Sequence, residues 1–414
     1  MSSRYHVTDE LYLWWLGQPQ APVPVGTLRL LRATRGVSLQ YGQQWLRHGF
    51  ALSEDLPLID MEHRPVERDS AAGAVDDARP DRWGERVVRF VDQPPRLSLL
   101  EYLYFAGDER FGALGVSRSG QGYEPHRTGP LPELRDVEEI HELVRKVLDN
   151  EPVPESKRRL IAPGATLGGA RPKALIEADG AQSVVKFAEP GDPTDTPLIE
   201  HACMTLAARA GIRVAPTRSI RLIDGHAVAV LRFDREGSGA VARRVHAQSA
   251  FVALRAEGSP HGYPELAQLL RRRAPLQHGL ARAQMHELFR RMVFNILMDN
   301  TDDHEKNHVL LMDDAQHLVL APAFDVLPAC QGLGTQQMRV GRDGADSTLE
   351  NACSEAALFG LSERQARDDA ARVARVCDQW KAHFRQAGVG HSDIEQLSAF
   401  IDRDFLLAQR ASSS

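Results

Sequence analysis

The sequence predicts an α+β protein: a small β-rich N-terminal part, a sheet crossed by one helix, then an all-α C-terminal lobe. Three observations carry this. Short apolar runs set off by Gly, Pro and polar residues, at Leu11–Leu16, Val25–Leu31 and Val37–Tyr41, read as strands. Strand-like runs at 173–177, 184–187, 217–223 and 227–233 surround a helical pattern at Leu198–Ala210. Finally, Met285, Leu288, Phe289, Met292, Val293, Ile296 and Leu297 repeat at helical spacing, which predicts a buried stripe within 264–300.

Taken in order, residues 68–80 are polar, Gly/Ala-rich and Asp-rich, and are expected to be a loop. Residues 81–118 mix helical and loop signals. Gly122, Pro125, Gly129, Pro130 and Pro132 make a linker of 119–135, followed by an amphipathic helix at 136–148. Asp224–Gly225 between two strands is a hairpin signal, and Gly211 suits the position just past a helix end. Residues 350–410 are helical with polar faces. The expected divisions are therefore 1–120, a linker and helix at 121–155, a sheet lobe at 156–235 and a helical lobe at 236–414.

Bulk properties narrow the function. With 414 residues, 43% hydrophobic and 26% charged, the chain is an ordinary globular sequence. A net charge of −6 argues against binding nucleic acid through the whole chain. The basic runs Lys157–Arg159 and Arg271–Arg273 read as solvated surface. The cysteines Cys203, Cys330, Cys353 and Cys377 are widely spaced without a CxxC pair, which fits a reducing cytoplasm better than a disulfide framework. No signal peptide or membrane span is expected.

The chemistry concentrates in Asn300-Thr301-Asp302-Asp303-His304-Glu305-Lys306-Asn307-His308, which is followed by two short strands, 309–312 and 318–320, and then Phe324–Asp325. Phosphoryl transfer needs a carboxylate to orient the attacking hydroxyl and accept its proton. It also needs oxygen ligands to hold Mg²⁺ against the phosphates of ATP. Kinase-like loops place an Asp five residues before an Asn, with a metal-binding Asp beyond a hairpin. Asp302, Asn307 and Asp325 reproduce that spacing, so the fold expected is a divergent, two-lobed protein-kinase-like one. Taken singly, each of these residues is more often a turn or cap residue. Upstream, Lys186 on a strand and Glu200 on the next helix fit the lysine that reaches the phosphates and the glutamate that orients it. The glycine-rich run Gly164–Lys173 could wrap phosphates but lacks the Walker pattern. Leu231-Arg232-Phe233 falls where the lobes would join and touch adenine. A rival reading uses the same residues, because His304-Glu305-Lys306-Asn307-His308 spells the HExxH zinc-peptidase pattern. That chemistry needs both histidines on one helical face, whereas helix-stopping residues precede them.

On these residues the chain resembles the HipA family of toxin–antitoxin kinases. Asn300–Asn307 and Phe324–Asp325 are similar to its catalytic and metal segments. Gly168, Gly169, Ala170, Arg171, Pro172 and Lys173 line up with its phosphate loop, Val185-Lys186-Phe187 with its ATP-lysine strand, and Leu231–Arg235 with its hinge. Val25–Leu28, Asp81–Gly84 and Gly107–Leu114 resemble its N-terminal subdomain. The resemblance implies a serine/threonine protein kinase with Asp302 as base and Asn307 and Asp325 on Mg²⁺. His304, Glu305, Lys306 and Phe324 would belong to the nucleotide site. It also implies a helix-turn-helix, HipB-like antitoxin that carries any DNA contact, and a translation protein such as an aminoacyl-tRNA synthetase as substrate. The family's autophosphorylated serine falls on Thr166 here. The N-terminal part is the candidate antitoxin dock. Trp14, Trp15 and Trp83 would serve either as interface anchors or, more ordinarily, as core. A small-molecule phosphotransferase of the aminoglycoside-kinase type and a pseudokinase are the alternative readings.

Overall fold

The structure, a computed structural model, describes residues 5–126, 129–162, 169–237, 242–275 and 277–412. Its contacts divide the chain into two compact units. One is Met1–Phe187 with Asp234–Gln248, the other Ala188–Phe233 with Ser249–Ser414. The architecture is α+β, as the sequence predicts.

The first unit is built on a five-stranded antiparallel sheet of order β4-β3-β2-β1-β5. The strands are β1 (Glu10–Trp15), β2 (Val23–Leu31), β3 (Gly36–Tyr41), β4 (Glu62–His63) and β5 (Leu114–Ser117). Alternation places Leu11, Leu13, Leu28, Val37 and Leu39 on one face, and all are fully buried, as is Val25 at the register shift between β1 and β2. Trp14 and Trp83 are buried too, and the Trp83 indole donates to the Lys173 carbonyl at 2.8 Å, so these rings belong to the core. A helix, Leu99–Phe105, closes the sheet. It starts on a capping box in which Ser98 and Glu101 satisfy each other's backbone N–H groups.

Two expectations change here. Residues 73–78 form a buried 3₁₀ helix rather than a polar loop. The Asp76 carboxylate turns inward and accepts from the Ala71 N–H at 2.8 Å, while the small residues let the turn press against the core. The mixed stretch also hides β5, which pairs with β1 in the register Leu13↔Val116.

This unit also holds the strands β6 (Lys173–Ala178) and β7 (Ala181–Phe187). They are joined by Asp179 and Gly180, both at positive φ as a tight hairpin requires. Pro132 and Glu133 run beside β6, and the helix Val137–Leu148 follows. The expected linker is therefore packed at both ends: Tyr123 donates to Asp108 at 2.6 Å.

The second unit is largely helical. Its helix Thr196–Arg209 is capped by Asp195 and ends before Gly211, at φ +77°. The hairpin of β8 (Thr217–Arg221) and β9 (His226–Leu231) turns at Gly225, φ +75°. The central helix Leu280–Leu297 carries the expected stripe. Leu288, Phe289, Met292, Val293, Ile296 and Leu297 are all completely buried. Helices at Glu363–Cys377, Trp380–Gln386, His391–Ile401 and Asp404–Ser412 finish the unit. Among the described residues no helix is long and apolar enough to cross a membrane.

Candidate active site

The central helix leads into the candidate catalytic loop. It stops at Asp299, a left-handed residue with φ +54°, and the Asn300 side chain donates back to Asn295 at 3.0 Å. Asp302 is exposed and its Oδ1 accepts from the Gln337 amide at 2.8 Å. Asp303, next to it, is buried and points the other way. Its carboxylate takes hydrogen bonds from the Tyr263 hydroxyl and from His308 Nε2, the latter at 2.7 Å. Burial alone would raise the Asp303 carboxyl. The His308 charge and the two hydrogen bonds outweigh it and hold the group below the usual carboxylate range. The Tyr263 hydroxyl is pushed well up by burial and by the Asp303 charge.

Glu305–Asn307 form a single 3₁₀ turn with His304 as its cap, the imidazole accepting from the Lys306 N–H at 3.2 Å. Glu305 lies 3.5 Å from His261, and Lys306 sits over the Phe251 ring. The hairpin Val309–Met312 and Leu318–Leu320 follows at the predicted positions, with Leu311 opposite Val319. Beyond it Ala323 bridges Val214, Phe324 packs 5.5 Å from Phe233, and Asp325 turns left-handed at φ +58°. A non-glycine residue held in that region is uncommon, and such residues cluster at functional sites. Asn307 and Phe324 line one small cavity together with Asp303, His308, Phe294 and Asn295.

The remaining sequence-predicted residues fall as follows. Glu200 is buried in the first half of the helix Thr196–Arg209. Leu231 donates its N–H to Pro216, Arg232 is buried, and Phe233 is half-buried. In the other unit, Lys173 and Lys186 are directly cross-strand on β6 and β7, and both are buried. The Lys173 ammonium donates to the Gly169 carbonyl at 2.9 Å, and Gly169 itself (φ +89°) donates to Asp81. Ala170, Arg171 and Pro172 lead into β6, and the Pro172 carbonyl accepts from Phe187 at 3.0 Å. Thr166 and Gly168 lie outside the described residues.

Sequence reasoning overlooked Asp303, Tyr263 and Gln337. It also overlooked a lock in the first unit, where Asp234 accepts from the Gly112 N–H at 2.8 Å and Arg235 donates to the Arg110 and Gly112 carbonyls. Arg110-Phe111-Gly112 and Phe233-Asp234-Arg235 stand out in the sequence only as two separate motifs.

The HExxH arrangement is not formed. His304 and His308 flank a 3₁₀ turn rather than one face of an α-helix, and the His308 Nε2 is committed to Asp303. Among the described residues no three His, Cys, Asp or Glu side chains are grouped to hold a metal. Asn307 and Asp325 instead offer amide and carboxylate oxygens, the donor type that suits a hard cation carrying phosphate ligands.

A model of the HipA-like C-terminal domain matches residues 165–381, more than half of the chain. The chain belongs to the HipA-like family. Two curated relatives come from Sinorhizobium fredii. "Putative kinase Y4dM" is 28% identical over 226 residues, covering 50% of this chain and 53% of that protein. "Putative kinase Y4mE" is 27% identical over 311 residues, covering 69% of this chain and 65% of that protein. The alignments thus span between half and two thirds of these relatives. The HipA-like fold extends further than the family match. A chain of the Shewanella oneidensis complex of HipA, HipB and operator DNA superposes with a TM-score of 0.68 over 97% of both chains, at 18% identity.

Proposed function

We propose that this HipA-like chain is an ATP- and Mg²⁺-dependent serine/threonine protein kinase and the toxin of a HipA/HipB-like module. The observation that carries the reading is the construction of the second unit's loop: Asp302 exposed at its tip, Asn307 closing its turn, and Asp325 left-handed just past the hairpin. Asp302 would orient the acceptor hydroxyl and take its proton. Asn307 and Asp325 would hold Mg²⁺, which when bound neutralises charge on the phosphates. Within the first unit Lys186, with Lys173 beside it, would face the phosphates, and within the second Leu231–Phe233 would meet the adenine. His304, Glu305 and Lys306 fix the turn between base and metal ligand. The kinase names of the two relatives support the reaction class, and the HipA–HipB–DNA complex supports a HipB-like antitoxin as partner and carrier of DNA contacts. A translation protein, such as an aminoacyl-tRNA synthetase, is the substrate class we propose. The deciding experiment measures ATP consumption and protein phosphorylation by the full chain and its Asp302→Asn variant. Transfer should fall about 10²–10⁴-fold while ATP still binds. Equal rates would remove Asp302 from the mechanism.

A further inference from the structure

We infer that Gln337 is a positioning residue for phosphoryl transfer, helping to hold the Asp302 carboxylate in the orientation that meets the acceptor hydroxyl. The inference rests on the reading of Asp302 as base. The Gln337 amide donates to Asp302 Oδ1 at 2.8 Å across thirty-five residues of sequence. A carboxylate on an exposed loop rotates about its last bond, and only one orientation aims a lone pair at a hydroxyl placed for in-line attack. A donor on Oδ1 restricts that rotation.

The donor is itself held. Gln337 is exposed, but each residue beside it is tied down. Gln336 is buried and donates to Ser347 at 2.9 Å, and Met338 is fully buried. Arg339 makes a two-pronged contact with Glu265 and a third bond to Glu355 at 2.6 Å. The backbone between is pinned as well: Gln336 N–H donates to Ala345 at 2.8 Å and Tyr263 N–H to the Arg339 carbonyl at 3.0 Å. The same Tyr263 donates through its hydroxyl to Asp303. The 336–339 segment therefore grips the Asp302–Asp303 pair at two points, directly through Gln337 and indirectly through Tyr263. In the uncovered chain, water competes for the Gln337 bond. A docked protein acceptor excludes that water and strengthens the bond at the moment of reaction.

The test compares the full chain with Gln337→Ala, Gln337→Glu and Gln337→Lys, each alone and with Asp302→Asn. Label from γ-labelled ATP is followed into the chain itself and into proteins of a heat-treated bacterial lysate. Loss of a hydrogen bond to a charged group predicts a kcat about 10- to 100-fold lower for Gln337→Ala, with the KM for ATP unchanged. Gln337→Glu has the same size but no donor, so it should be at least as impaired. Gln337→Lys keeps a donor and should recover part of the rate. In the Asp302→Asn background Gln337→Ala should add little, because the two act as one unit. Wild-type turnover in Gln337→Ala, or additive losses in the double variant, would overturn the positioning role while leaving Asp302 as base. Faster turnover would make Gln337 a plug that substrate displaces, which also overturns it. If Asp302→Asn transfers as fast as the unaltered chain, or the unaltered chain transfers no label, the kinase reading fails and this inference falls with it.

Discussion

Asp303 and His308 are bonded to each other at 2.7 Å, both buried, and between them they enclose the whole turn that carries Asn307. Asp302 precedes the first partner and Asn307 precedes the second. The bond therefore sets the separation of the proposed base and the proposed metal ligand without touching either. Asn295 extends the network by donating to the Tyr263 hydroxyl at 3.3 Å and accepting from Asn300.

Asp303→Ala should consequently destabilise the chain by about 2–6 kcal/mol, the cost of leaving two buried groups, the Tyr263 hydroxyl and His308 Nε2, without their acceptor. The pH dependence has a definite sign. The Asp303 carboxyl is held below its unfolded value, so its contribution is complete above about pH 4 and is lost as pH falls through the lower folded value. Urea denaturation of the two chains should show a gap that is full at pH 6 and narrows toward pH 3. A gap of equal size at both would mean that ionisation of Asp303 does not matter.

A second clamp holds the segment after Asp325. The Asp299 carboxylate takes Arg403 at 2.7 Å and the Gly332 N–H at 3.2 Å, and its carbonyl takes Ala329 at 3.0 Å. Arg403→Ala should cost about 2 kcal/mol, a hydrogen-bonded charge contact. Burial raises the Asp299 carboxyl above its usual range even with Arg403 present. A raised carboxyl favours folding at low pH and less so as pH rises through its folded value. Without Arg403 that loss should steepen, so the variant should fall furthest behind the unaltered chain near pH 7 in thermal melts. A deficit that is largest at pH 4 would contradict this.

How much of this was legible beforehand depends on the range of the interactions. The helix stop at Asn300–Asp303 and the hairpin at 309–320 are set by neighbours, so local residue types located them. The partners that hold the loop are remote: Tyr263 is forty residues before Asp303, and Gln337 thirty-five after Asp302. Nothing local in those residues announces a contact. Residues 73–78 misled for the opposite reason. Their polarity suggests a surface loop, yet Asp76 spends its charge on its own turn and carries the small residues inward. The strand Leu114–Ser117 has only four residues, too few to display an alternation without knowledge of β1.

At Asp325 backbone and side chain can be separated. Asn tolerates a positive φ almost as well as Asp, so Asp325→Asn should fold with little loss. Asp325→Ala should lose about 1 kcal/mol to backbone strain. Both should abolish Mg²⁺-dependent transfer, since neither supplies a carboxylate. Thermal melts beside Mg²⁺ titrations separate the effects. In the unaltered chain a zinc-selective chelator should leave activity intact. Loss of activity that Mg²⁺ does not restore would revive the zinc reading.

The proposed antitoxin dock in the N-terminal part can be tested without cutting the chain. Removing residues 1–120 would break a unit whose strands, β6–β7 hairpin and 234–248 segment form one compact body. The exposed apolar residues there offer a gentler probe: Ile59 is 48% exposed, Met61 50% and Val66 98%. Apolar side chains presented to water in one stretch are candidates for burial against a partner. Changing all three to Asp should alter stability by less than about 1.5 kcal/mol, because single exposed substitutions stay within about 0.5 kcal/mol. Capture of the chain by an immobilised HipB-like helix-turn-helix antitoxin should drop at least about 10-fold, as like-charge or unpaired groups would then face the interface. The unaltered chain alone should bind operator DNA weakly, with affinity that falls steeply with salt and shows no sequence preference. Undiminished capture by the triple variant would move the dock away from this surface.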